Sequence, residues 1–277
     1  MIRVAVTTAD LERCVEITNA VHPDEPVSLE QLRGATEGTM LLDDDGGYAY
    51  VSPSSVADST YAMVRVHPEA RGRGIGSALL EAARERTREL GCEALWGRVR
   101  DEGSLAFVDR RGFREIARDI VVQREVGPGE GEVAGSIVEL REEHLPGAYE
   151  VCVEAIAEVH APLPAEARPF DEWLEHESRD PAVAFVALDA DEVVGYARLH
   201  TCGVPDRLEH GLTAVRRSHR RRGLATALKR AQLKWAADQG YRELRTDTIE
   251  GNVGMRAVNE RLGYRPLPPV VIVSGPA

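Results

Sequence analysis

Hydrophobic and polar positions change period several times along the chain, and each change marks an element. Between residues 75 and 90 the apolar positions Ile75, Ala78, Leu79, Ala82, Ala83 and Leu90 lie on one face of a 3.6-residue period, which predicts a helix packed on a sheet. Short β-rich runs at 39–42, 48–52 and 60–66 precede it. Residues 2–7 read as an opening strand, 9–21 and 28–37 as helices, 94–100 as a strand, 103–111 as a short helix and 120–125 as a closing strand. The pattern then starts again. Helices are expected at 144–157 and 171–178, strands at 183–188, 193–200 and 208–215, a helix at 223–239, a strand at 244–248, a helix at 252–261 and a last strand at 270–273. Each half therefore reads as an α/β unit with a mixed sheet and helices on both faces.

Residue identities repeat along with the pattern. At an offset of 149 residues (74 to 223), Arg71 falls on Arg220, Arg73 on Arg222, Gly74 on Gly223, Ala78-Leu79 on Ala227-Leu228, Ala82 on Ala231 and Gly91 on Gly240. After a slip of two residues, Gly112-Phe113 falls on Gly263-Tyr264. A tandem repeat of one fold is expected. The Gly- and Glu-rich stretch Gly127-Pro-Gly-Glu-Gly-Glu-Val-Ala-Gly135 has the composition of a solvated linker. It divides the chain into domains 1–126 and 136–277, with the linker at 127–135.

Composition narrows the chemistry. With 43% hydrophobic and 29% charged residues the chain is globular, and a net charge of −12 argues against general nucleic-acid binding. The cations are Arg except at Lys229 and Lys234, which reads as a coding bias. Four dispersed cysteines form no CxxC pair, so neither a metal site nor a redox dithiol is indicated. Without a signal-like or membrane-length apolar run, a cytoplasmic location is expected, as monomer or homodimer, with no membrane or nucleic-acid partner.

The informative segments join the fourth strand of each half to its long helix. They read Val66-His-Pro-Glu-Ala-Arg71-Gly72-Arg73-Gly74-Ile75-Gly76-Ser77 and Val215-Arg-Arg-Ser-His-Arg220-Arg221-Arg222-Gly223-Leu224-Ala225-Thr226. Small residues before a helix expose its first N–H groups, and the positive helix end makes an anion site suited to phosphate. Ser77 and Thr226 stand where a hydroxyl either caps the helix or donates to a phosphate. A dinucleotide fingerprint would need a third glycine where Ser77 stands, and a Walker A loop would need Gly-Lys-Ser/Thr, so both motifs are absent.

Arg71-x-x-Gly74-x-Gly76 and Arg220-x-x-Gly223-x-Ala225, each five residues after a strand valine, resemble the acyl-CoA pyrophosphate loop of the GNAT N-acetyltransferase superfamily. Asn252-x-x-Met255-x-x-x-Asn259-x-x-x-Gly263-Tyr264 is similar to the family's fourth helix and the Gly-aromatic step after it. The resemblance implies two tandem GNAT-like acyl-CoA N-acyltransferase domains of the bacterial tandem type, acetyl-CoA as donor, and a small-molecule amine as acceptor. It further implies a bulged fourth strand, matched here by Val66 and Val215, that splays from the fifth.

The implied reaction is direct attack of an amine on the thioester. An alkyl ammonium with a pKa of about 10 must first lose a proton, and the departing thiolate benefits from an acid. On the fourth strand of half two the resemblance points to Glu209 and His210. Its usual acidic tyrosine falls on Asn259, which leaves Tyr264 either as the acid or as a core aromatic in the place of Phe113. Half one has Thr60 and Tyr61 at the corresponding strand places, Val108 for the tyrosine and Asp101 for the asparagine, so half two is the expected catalyst. Glu154, Glu158, His160, Asp171 and Glu172 would line the acceptor side. Three other readings stay open: a non-catalytic acyl-CoA sensor or scaffold, transfer of another acyl group, and action on a protein N-terminus.

Overall fold

The computed structural model describes residues 1–34, 38–54, 56, 58–127, 136–159, 167–178 and 181–277. The elements run β1 (Ile2–Val4), α1 (Thr8–Val21), α2 (Leu29–Gly34), β2 (Thr39–Asp43), β3 (Gly47–Pro53), β4 (Ser59–Val66), α3 (Ile75–Glu89), β5 (Ala94–Val99), α4 (Glu102–Asp109) and β6 (Arg114–Glu125). They continue with β7 (Ile137–Glu139), α5 (Leu145–Val159), α6 (Phe170–Ser178), β8 (Pro181–Asp189), β9 (Glu192–Thr201), β10 (Arg207–Val215), α7 (Leu224–Asp238), β11 (Glu243–Ile249), α8 (Val253–Arg261), β12 (Arg265–Pro266) and β13 (Val270–Pro276). No described helix is long and apolar enough to cross a membrane.

Two compact units emerge, residues 1–117 with 270–277, and residues 118–269. In unit 1 the strand order is β1-β2-β3-β4-β5-β13, antiparallel throughout except for the parallel pair β4–β5. The apolar stripe of α3 lays Ile75, Leu79 and Ala83 on Leu41, Ala49 and Val51. On the other face α1 packs Cys14 and Ile17 against Met40, Leu42 and Tyr48. Unit 2 repeats the plan with the order β7-β8-β9-β10-β11-β6, and β10–β11 is its parallel pair. Leu228 and Leu233 of α7 and Val258 and Leu262 of α8 share a core with Leu208, Leu244 and Val122. Ala148 and Val151 of α5 and Trp173 of α6 cover the opposite face at Val186, Val193 and Tyr196.

The units differ from the linear halves in one respect. The last strand of each half lies in the other half's sheet: β13 pairs β5 from Val271↔Val99 to Pro276↔Ala94, and β6 pairs β11 from Glu125↔Glu243 to Asp119↔Ile249. The strands expected at 120–125 and 270–273 therefore exist but complete different units. Of the expected linker, residues 128–135 lie outside the described residues.

Both parallel pairs are short, and this positions the site. β4 pairs β5 only from Ser59↔Ala94 to Tyr61↔Trp96, and β10 pairs β11 only from Arg207↔Glu243 to Glu209↔Arg245. Beyond those points the paired strands part, leaving backbone groups of β4 and β10 without a ladder partner on that side.

Candidate active site

The two loops that enter α3 and α7 share one geometry. Each runs through a short 3-10 turn, Pro68–Ala70 or Arg217–His219, to a left-handed N-cap glycine, Gly74 at φ 87° or Gly223 at φ 84°. Arg71 Nε donates to the Val66 carbonyl at 3.3 Å, and Arg220 Nε donates to the Val215 carbonyl at 3.1 Å. Arg73 and Arg222 likewise donate to the Glu69 and Ser218 carbonyls. These arginines brace the loop and add positive charge to its rim. Gly72 is left-handed at φ 78°, and Arg221 holds the equivalent place at φ 65°, a conformation costly for a side chain with a Cβ.

Neither helix has a side-chain cap, so its first N–H groups remain donors, and a Cβ built on Gly74 or Gly223 would meet nothing within 4 Å. Open space before uncapped helix ends fits the pyrophosphate of acetyl-CoA. The side chains of Val66, Ile75, Val215, Leu224 and Ala225 turn into or against the cores, so these residues offer the ligand only their backbone. Ser77 caps nothing; its Oγ accepts from Arg111 at 2.6 Å, and Arg111 stacks on Phe107. Gly76 packs near Phe107, and Thr226 sits half-buried in the first turn of α7.

The expected bulge occurs in β10 alone. The register with β9 shifts between His210↔Leu199 and Thr213↔Ala197, so Gly211 and Leu212 together oppose Arg198, three to four residues before Val215. β4 keeps an unbroken register with β3 from Gly47↔Val66 to Pro53↔Thr60. The extra residue corrects the correspondence between the halves. Glu209 matches Tyr61, since they pair Arg245 and Trp96 respectively, and His210 matches Ala62; the fully buried Thr60 matches the fully buried Leu208.

Alternation along β10 puts Glu209 and His210 on opposite faces. His210 enters the face covered by α7 and α8 and is buried; Glu209 faces the side of α5 and α6, 38% exposed, with its Oε2 3.8 Å from His200 Nε2. His210 Nδ1 lies 2.9 Å from Gln232 Oε1 and its Nε2 lies 2.5 Å from the Tyr264 hydroxyl. Burial, reinforced by the charge of Lys229, holds His210 well below its ordinary pKa, so the ring is neutral. A neutral ring whose Nδ1–H donates to Gln232 accepts from the Tyr264 O–H at Nε2. Tyr264 is thus a core aromatic, 6% exposed, and also a hydrogen-bonded phenol.

Lys229, Gln232 and Asn259 are also buried on this face. Lys229, 1% exposed, sits with Nζ 5.4 Å from the centroid of the Tyr264 ring. Lys229 Nζ, Gln232 Nε2 and both polar atoms of the Asn259 side chain lack a hydrogen-bond partner among the described residues. Each such atom costs roughly 1–3 kcal/mol when left dry and unpaired. Asn252 behaves differently: its Oδ1 accepts from the Met255 amide at 3.1 Å and caps α8, as Asp101 caps α4 through Ser104.

The acetyltransferase (GNAT) family pattern matches residues 14–113 and again residues 146–264, together more than half of the chain. The chain belongs to this family. A mycothiol acetyltransferase from Streptosporangium roseum is 33% identical over 118 residues, which are 41% of this chain and 34% of that protein. The match therefore spans about a third of that relative's length. Among solved structures, a GCN5-related N-acetyltransferase from Sphaerobacter thermophilus has a TM-score of 0.78 at 20% identity, covering 100% of this chain and 95% of that one. A tandem GNAT protein from the clavulanic acid biosynthesis pathway has a TM-score of 0.77 at 20% identity, covering 100% and 98%. Both share the fold.

The two GNAT units of this chain differ most at the polar cluster. His210, Lys229, Gln232, Asn259 and Tyr264 of unit 2 fall on Ala62, Leu80, Ala83, Val108 and Phe113 of unit 1. Leu80 and Phe113 are core residues of unit 1, with Ala62 and Val108 packed against the same cluster. Gly97 of β5 also lies so close to Ala62 that a Cβ would come within 2.6 Å of its carbonyl oxygen, whereas unit 2 has Thr246 at that place.

On the α5–α6 face, the residues expected to line an acceptor site divide. Glu154 accepts from the Arg217 amide at 2.6 Å, and Asp171 and Glu172 are exposed in the first turn of α6. The Glu158 side chain and His160 lie outside the described residues. Sequence reasoning missed Glu177, whose carboxylate accepts from the Tyr196 hydroxyl and lies 3.3 Å from Arg198, and His200 beside Glu209. It also missed Lys229 and Gln232. Their signal lay in the repeat itself, which aligns each with an apolar residue of half one.

Proposed function

We propose that unit 2 transfers the acetyl group of acetyl-CoA to a small-molecule primary amine by direct attack on the thioester, and that unit 1 binds acetyl-CoA without turning it over. One observation carries the reading: where β10 leaves β11, it offers a carboxylate on one face and a hydrogen-bonded His–Tyr pair on the other. An amine approaching from the α5–α6 side meets Glu209, which takes its proton directly or through water. Tyr264 turns its O–H from His210 Nε2 to the sulfur on the α7–α8 side and is its proton donor. The bulge at Gly211 and Leu212 frees backbone N–H groups to hold the thioester carbonyl, and residues 220–226 hold the pyrophosphate. Acetyl-CoA supplies the activated acyl group; the protein supplies position and proton transfer.

Unit 1 keeps the more glycine-rich loop, Arg71 to Ser77, but has Tyr61 and Ala62 where unit 2 has its acid–base residues. The name of the S. roseum relative makes a mycothiol-related amine the first acceptor to try. Release of free thiol from acetyl-CoA, measured against a panel of primary amines, tests the proposal. Turnover by the wild type that falls roughly 10²–10⁴-fold in Glu209→Gln supports it. Turnover with none of the amines, alongside tight acetyl-CoA binding, favours a sensor.

A further inference from the structure

Lys229 is a cation buried in a core that offers it no anion. Its Nζ has no hydrogen-bond partner among the described residues, and it faces the ring of Tyr264 at 5.4 Å. The same fold accepts Leu80 at the equivalent place, so packing does not require a polar group there. The residue type is telling as well. All but two of the 34 basic residues are Arg, and the one placed in this core is Lys, whose ammonium sheds its proton readily when buried while a guanidinium does not.

We propose that Lys229 is a positioning residue of the acetyl-transfer step, its ammonium stabilising the phenolate that Tyr264 becomes once its proton has passed to the sulfur of coenzyme A. This rests on unit 2 being the transfer unit. The amine lone pair forms the N–C bond, the C–S bond breaks with its electron pair going to sulfur, and sulfur takes the Tyr264 proton. The surplus proton of the amine goes to Glu209 and returns through solvent to Tyr264 before the next turnover. In the resting protein the Tyr264 O–H bonds to His210, and Lys229 has no anion to pair with; the phenolate supplies that anion when it forms. Of the other side chains in the cluster, His210 from β10 is neutral, and Gln232 from α7 and Asn259 from α8 carry no charge. Burial brings Lys229 down to about 7, so its charge is lost across the neutral range.

The test is the pH profile of kcat, at saturating amine and acetyl-CoA, for the wild type, Lys229→Met, Lys229→Leu, Tyr264→Phe and the double variant Lys229→Met/Tyr264→Phe. Wild-type kcat should carry an alkaline fall centred near 7. Both Lys229 variants should lose that limb and drop kcat by roughly tenfold or more, as expected for removing a charge that shifts its neighbour by about one pKa unit or more. KM for acetyl-CoA should stay within about twofold, and the double variant should be no slower than Tyr264→Phe, because Lys229 acts through the phenol. Wild-type kcat and an unchanged profile in Lys229→Met would overturn the proposal, as would losses that simply multiply in the double variant. If Glu209→Gln and Tyr264→Phe keep full activity, the transfer reading itself has failed.

A second readout needs no turnover. The chain contains only Lys229 and Lys234, so 13C-lysine labelling gives two side-chain Cε signals. The Lys229 signal should titrate with a midpoint near 7 and report the ammonium below it. A Lys229 signal that shows the neutral amine throughout the active pH range overturns the proposal, because no ammonium would then face the phenolate.

Discussion

The Tyr264 hydroxyl donates to His210 Nε2 across 54 residues of sequence, at 2.5 Å in the core of unit 2. In unit 1 the same two places hold Phe113 and Ala62. Tyr264→Phe therefore installs a ring this fold already packs and removes only the hydroxyl. Stability should fall by roughly 0.5–1.5 kcal/mol and turnover by roughly 10²–10⁴-fold, with acetyl-CoA affinity nearly unchanged. Steady-state kinetics beside calorimetric titration checks this; full turnover in the phenylalanine variant would leave the pair without a part in the chemistry.

Each phosphate loop is tested by its own glycine. Gly74 and Gly223 are left-handed and open to solvent, so a glutamate there strains the backbone and sets a carboxylate where phosphate would sit. Two acetyl-CoA sites are expected in the wild type by isothermal titration. Gly223→Glu should leave the unit 1 site and Gly74→Glu the unit 2 site. Unchanged stoichiometry in either variant would remove that loop from acetyl-CoA binding.

The carboxyl-terminal strand belongs to unit 1. Val271 and Val273 are buried there with Leu80, Leu95, Val99 and Phe113. A chain ending at residue 269 loses both valines and the ladder to β5, a cost to unit 1 of roughly 3–6 kcal/mol from the two side chains alone. Thermal unfolding followed with and without acetyl-CoA should show the Gly74-loop site lost. A truncated chain that still binds at that loop would contradict the assignment of β13 to unit 1.

Much of this is legible in the sequence because the phosphate loops are local: a strand end, a turn and a helix start within a dozen residues set their own geometry. The apolar stripe of the long helix fixes which of its faces meets the sheet. The resemblance implies a bulge but not its place, because Gly211 and Leu212 continue an ordinary strand pattern and only the register with β9 shows the extra residue. Counting through that bulge misaligned Glu209 with Thr60 by one place. The exchange of β6 and β13 escaped for a similar reason, as either strand is apolar enough to close either sheet. Lys229 was visible but read as composition, since a charge on a helix ordinarily faces water; the aligned Leu80 was the clue that this one does not.

Burial of Lys229 also predicts how stability depends on pH. Its folded-state pKa of about 7 lies below the ordinary 10.5, so between these values the unfolded chain binds more protons than the folded one. Stability from this group is greatest above 10.5, falls as pH drops toward 7, and is fully lost below 7. Lys229→Leu should therefore be more stable than the wild type by about 1 kcal/mol or more at pH 6, with the gap narrowing toward pH 10. Urea unfolding at pH 6, 8 and 10 measures it. A gap that does not change with pH would mean that Lys229 keeps its charge in the core.

The most direct test compares the same strand position in the two units, because Glu209 and Tyr61 occupy equivalent places at the ends of the short parallel ladders. Acetyl transfer to an amine that the wild type accepts should be measured for Glu209→Gln and Tyr61→Phe, with acetyl-CoA affinity followed in parallel. Chemistry in unit 2 requires turnover to fall roughly 10²–10⁴-fold in Glu209→Gln and to stay near wild type in Tyr61→Phe, with binding intact in both. A silent Glu209→Gln together with an inactive Tyr61→Phe would place the reaction in unit 1 and contradict the assignment.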